Sequence, residues 1–166
     1  MEPMSDTLRT VRSPLVIEQV EDALLVVLKE SVSGQCKVEV FPNDPKRYDF
    51  SNLPAALLIH YAGSRYAAPK GPANTAQVRT MEFSLVLLVR SLRGEGGAYN
   101  HLEDIRLALQ GRAFAGAGPA VMTRDQLMEE AEGVWRWEIR IALPIPAVAR
   151  TVQSPAPLMR PAFSTL

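Results

Sequence analysis

The apolar and polar positions show no periodicity over residues 1–12 and then turn helical. Ile17, Val20, Leu24, Val27 and Leu28 recur at the spacing of one helix face. Glu18, Glu21 and Asp22 fall in the early turns, where the helix dipole favours acids. Ser13-Pro14 is the expected start, a capping hydroxyl followed by a proline at the first helical position; Ser33-Gly34 is the expected stop. Cys36 to Phe41 predicts a short strand closed by Pro42. A long loop, Pro42 to Pro54, leads to a second strand over Ala55 to Tyr61, and a second long loop covers Gly63 to Ala76.

The next strand, Gln77 to Arg90, places Met81, Phe83, Leu85, Leu87 and Val89 on one face and Thr80, Glu82 and Ser84 on the other. After the glycine-rich passage SLRGEGGAYNHLEDI, Ala98, Leu102, Ile105 and Leu109 mark a second amphipathic helix that ends at Gly111. A short strand is expected near Ala120 to Thr123, while Gln126 to Glu132 is polar and takes no assignment. In the closing strand, Trp135, Trp137, Ile139, Ile141 and Leu143 alternate with Arg136, Glu138 and Arg140, and Pro144 and Pro146 are expected to stop it.

The order is helix, three strands, helix, two strands. Alternating faces imply a mainly antiparallel sheet of four to five strands with two helices packed on one face, an α+β fold. The expected organisation is a flexible N-terminal arm over 1–12, one α+β domain over 13–143, and a proline-rich C-terminal tail over 144–166.

Composition narrows the function classes. At 166 residues the chain suits one domain with a real core. Its 47% hydrophobic and 22% charged residues are ordinary for a globular protein. Eighteen basic side chains balance eighteen acidic ones, so no overall field draws the chain to nucleic acid or an acidic membrane. Arginine outnumbers lysine, which leans toward protein interfaces. The single cysteine, Cys36, excludes an intramolecular disulfide. No apolar run approaches the roughly 20 residues that cross a bilayer. MEPMSDTLRT lacks the basic-then-apolar order of a signal peptide, so a cytoplasmic location is expected.

Candidate chemistry is sparse. Arg93, Gly96 and Ala98, between a strand and a helix, resemble the acyl-coenzyme A loop of the histone-type acetyltransferases, where amides at a helix N-terminus hold a pyrophosphate. A turn in which glycines supply positive φ explains the same residues, and that fold's further strand and helix are missing here. His60 and His101 with Cys36 give no metal-ligand spacing. Cys36 reads as a packing residue, Trp135 and Trp137 as core, and Glu129, Glu130 and Glu132 as a solvated run.

In order along the chain stand a first helix with Ile17-Glu18 and Glu21, then Leu53-Pro54-Ala55 entering a strand. Val89-Arg90-Ser91 ends the long strand, Gly97-Ala98-Tyr99 enters a helix with Leu102, Ile105, Arg106 and Leu109-Gln110-Gly111, and Gly133-Val134-Trp135 opens the closing strand. This ensemble, over roughly residues 14 to 143, resembles the tail terminator (tail completion) proteins of Mu-like phages and prophages.

The resemblance implies a structural protein without catalysis or cofactor. Six copies would form a ring on the tail tube end, stop its growth and receive the head connector. The implied partners are the chain itself as a homo-hexamer, the tail tube protein and the head–tail connector. No membrane or sequence-specific nucleic acid contact is implied, although the lumen leaves a path for DNA. The implied location is the virion tail, with assembly in the bacterial host cytoplasm. Interface candidates are Arg47 and Tyr48 in the first long loop, Arg65, Tyr66 and Lys70 in the second, and Arg93 at the corner, chosen because arginine and tyrosine are favoured at interfaces. A different head–tail joining component shares this class. The alternative from a different class is an acyl-coenzyme A-dependent N-acyltransferase using Arg93 to Ala98.

Overall fold

The computed structural model describes residues 16–32, 34–71, 76–114 and 116–147. The arm expected over 1–12, the Ser13-Pro14 helix start and residues 148–166 of the tail expected over 144–166 lie outside these residues, while 144–147 belong to the last strand. Helix α1 (Val16–Ser31) is followed by β1 (Cys36–Val40), β2 (Ala55–Tyr66), β3 (Gln77–Val89), helix α2 (Ala98–Leu109), β4 (Val121–Ala131) and β5 (Val134–Ala147). The element order is the one the periodicities predict.

The five strands form one sheet in the order β1-β2-β3-β5-β4. β1 and β2 pair in parallel, and every other neighbouring pair is antiparallel. Parallel neighbours need a connection long enough to return along the strand, which accounts for the loop at 41–54. Both helices cover one face. Val20, Leu24 and Leu28 of α1, with Ile105 and Leu109 of α2, pack with Leu57, Phe83, Leu85, Leu87, Ile139 and Ile141, all fully buried or nearly so. Burying side chains of this size contributes about 1.5–3 kcal/mol each, before the entropy of ordering them.

Three expectations need correction. β4 occupies Val121–Ala131, including the polar stretch that carries no strand pattern. It is the sheet edge and most of its residues are exposed, so neither face imposes an apolar alternation. Its hairpin to β5 turns on Glu132 and Gly133, at φ 53° and 75°, the positive pair that a two-residue turn of the mirror type requires.

Second, Pro144 and Pro146 do not stop β5, which runs on to Ala147 opposite Gln77. The Pro144 carbonyl accepts from the Gly118 amide at 2.7 Å, so this residue's polar edge faces away from β3. Pro146, two residues on, presents the same side. The missing N–H groups therefore fall where β4 has already ended, since its pairing reaches only Ala142. Third, β2 continues past a bulge between Tyr61 and Gly63 to Tyr66, so Arg65 and Tyr66 are strand residues, not loop residues.

Candidate interaction surface

The sheet face without helices carries the most distinctive chemistry. From β3 it takes Thr80, Glu82 and Ser84, as the alternation predicts, and then Val86 and Leu88. Register places Leu58 beside Val86 on β2, and Arg136, Glu138 and Arg140 alongside on β5. At the centre, the Glu138 carboxylate accepts from the Ser84 hydroxyl at 2.9 Å and from Arg124 Nη2 at 3.1 Å, and it pairs with Arg140 Nη2 at 3.1 Å. Burial pushes this carboxyl up, but the donors on Arg140, Ser84 and Arg124 outweigh it and hold it below the usual glutamate value. His60 stands edge-on to Phe41 with ring centroids 5.1 Å apart. Burial, and then the charges of Arg140 and Arg136 against that of Glu138, keep His60 below its ordinary value.

Beside this cluster the loop after β1 and the β4–β5 hairpin wall in a groove. Arg90 fixes the loop: Nε donates to the Leu53 carbonyl at 3.0 Å, and Nη2 donates to the carbonyls of Phe50 and Ser51 at 3.1 and 3.2 Å. Two adjoining hollows of about 270 and 600 Å³ share Phe41, Pro45, Val86 and Arg136. Leu58, Val86 and Leu88 make the apolar floor, with Phe41, Tyr48 and Phe50 on the loop side. Sequence reasoning missed this groove. Its one trace is that β3 is apolar on both faces from Leu85 to Val89, the mark of a strand covered on both sides.

The six expected interface residues fall into three places. Arg47, in a short 3-10 turn, pairs with Asp44 at 3.0 Å. Tyr48 donates to Glu39 Oε2 at 3.1 Å, and burial first, then this bond and the Glu39 charge, push its hydroxyl up to about 12. Arg65 pairs with Glu82 at 2.8 Å, and the Tyr66 ring lies 5.8 Å from the Arg79 guanidinium. Lys70 borders an apolar hollow with Val78, Pro144 and Pro146. Arg93 lies 5.6 Å from the Tyr99 ring at the opposite end of the sheet.

Comparison with known proteins decides the family. Residues 25–163 match the family model described as Gp37 protein. The chain belongs to the Gp37 protein family. No curated protein matches it. Among solved structures, 33 chains match. One is a chain of the virion of a native gene transfer agent particle, with a TM-score of 0.51 and 11% identity over 81% of this chain and 100% of that one. The likeness is one of fold.

In this Gp37-family chain the glycine corner is closed on itself. The amides of Gly97, Ala98 and Tyr99, the ones a pyrophosphate would use, donate to the carbonyls of Gly94, Ser91 and Leu92 at 3.1, 2.8 and 3.1 Å. A Cβ on Gly97 would stand 2.6 Å from the Arg93 carbonyl oxygen. The glycine is there for close approach of backbone to backbone. Cys36 is buried, and burial pushes its thiol up to about 12, far from a thiolate nucleophile. His101 is wholly buried on α2, and burial, against the raising influence of Asp104, holds it below its ordinary value. Trp135 and Trp137 pack at the margin of the core, Trp137 edge-on to Tyr99 at 6.4 Å. Among the described residues no group of three or more metal-ligating side chains converges.

Proposed function

We propose that this Gp37-family chain is a virion structural protein, the terminator of a phage-type tail. Copies close as a ring of six on the end of the finished tail tube, halt its growth and offer a docking face to the head connector. The observation that carries this reading is family membership over residues 25–163, joined to a fold shared with a chain of a gene transfer agent virion. The ordered resemblance to Mu-like tail terminators, from the first helix to the Gly133-Val134-Trp135 opening of β5, supports the same role.

A ring needs one patch to meet a different patch on the next copy, with the rotation closing after a few subunits. Arg47, Tyr48, Arg65, Tyr66, Lys70 and Arg93 remain the proposed contacts. Their distribution over opposite ends of the sheet suits an interface with two unlike sides, one to the neighbouring copy and one to the tube. Neither catalysis nor a cofactor is part of this reading; binding occurs in the virion tail after assembly in the host cytoplasm. The test is tube growth: a phage-type tail tube protein is polymerised with and without this chain. Shorter tubes, each bearing a ring on one end in negative stain, are expected. Tubes of unchanged length with bare ends would overturn the reading.

A further inference from the structure

The groove on the helix-free face is preformed and apolar on a face that is otherwise charged. Its floor lies between the loop and the hairpin, with Leu58 and Val86 buried at the bottom and Leu88 half-exposed beside them, and three bonds from Arg90 hold the loop in place. Phe41 and Tyr48 give it aromatic sides, the surface on which proline-rich extended segments dock, because such segments are already ordered and lose little entropy.

The chain supplies a proline-rich segment. Ser154 to Phe163, SPAPLMRPAF, has three prolines, the apolar side chains Leu158, Met159 and Phe163, and no acidic residue. It lies within the family match, which starts only at residue 25 and extends to 163. Only six residues, 148–153, separate Ala147 from this segment, a reach of ~20 Å when extended, against about 45 Å for the whole of β5. β5 leads away from its own groove, whose hairpin wall lies at the Val134 end of that strand.

We propose that the groove receives residues 154–163 of a neighbouring copy, so that each subunit of the assembly is strapped to the next. This rests on the ring reading above. The strap would make assembly depend on the tail while leaving the fold of each subunit alone.

The test co-expresses two full-length variants, one carrying Leu88→Cys in the groove floor and one carrying Leu158→Cys in the tail, under mild oxidation. Cys36 can stay, since its thiol is buried. A disulfide joining the Leu88 and Leu158 peptides across two chains is expected, and it should be lost when the groove cysteine is replaced by Leu107→Cys on the opposite, helical side. If Leu88→Cys fails to give the native circular dichroism spectrum, Val134→Cys at the groove wall serves instead. Native mass spectrometry of the same samples separates the two readings. A ring without the cross-link overturns the strap alone. A cross-link found only when both cysteines are in one chain places the tail in its own groove and also overturns it. Absence of any ring, with the tube capping above also absent, removes the ring reading and the strap with it.

Discussion

The guanidinium of Arg90 lies 4.8 Å from the ring centroid of Phe50 while donating to the Phe50, Ser51 and Leu53 carbonyls. One side chain at the end of β3 therefore holds the loop that returns from β1 to β2, and with it one wall of the groove. Arg90→Ala should cost about 1–2 kcal/mol in urea unfolding, less than the full value of three charge-assisted bonds because the site is exposed. Arg90→Lys should not restore it, because an ammonium cannot reproduce the planar fork. Hydrogen exchange should rise over 45–53 and stay unchanged in α2.

Phe83 anchors the other face. It is fully buried beneath the helices, with its ring 5.6 Å from that of Tyr61. Phe83→Ala should destabilise by about 3–5 kcal/mol, measured by chemical denaturation, and should lower assembly only through the fold.

Glu138 makes stability depend on acid. Its folded-state value lies below the ordinary 4.5, so its contribution is complete above 4.5 and is lost as pH falls through the lower folded value. Glu138→Gln should be less stable than the parent by about 1–3 kcal/mol at pH 7, since Arg124 and Arg140 lose their shared carboxylate. The two stability curves should converge well below pH 4.5. Parallel curves down to the acid transition would contradict the role given to this carboxylate.

The glycine corner yields a fourth expectation. Gly97→Ala should cost about 1–3 kcal/mol, because its Cβ would press on the backbone of Arg93. Acetyl-coenzyme A should leave the melting temperature of the parent unchanged, since the corner's own carbonyls already take its amides. A saturable rise in melting temperature would restore the acyltransferase alternative.

Most of the architecture was legible because burial is one-sided where it matters. Val20, Leu24 and Leu28 mark α1, and Phe83, Leu85 and Leu87 mark the covered face of β3; each series repeats at the period of its own element. Of β4 only the start, near Ala120 to Thr123, was legible, because most of an edge strand open to solvent leaves no such trace. The run of β5 through Pro144 and Pro146 depends on where β4 stops, a fact of tertiary pairing that no local pattern contains. The groove is of the same kind: Phe41, Leu58, Leu88 and Val134 are remote in sequence and meet only because of strand order. Of the six residues singled out from loop position and residue type, Arg65 and Tyr66 proved to be strand residues, and Tyr48 is bonded within its own subunit.

The proposed role requires this chain to close on itself as a ring. Native mass spectrometry of the full chain over a concentration series, alone and mixed with its tube protein, tests it most directly. A closed multiple, with six copies the expected number, would bear the account out. Monomers at every concentration, unchanged by the tube protein, would contradict it.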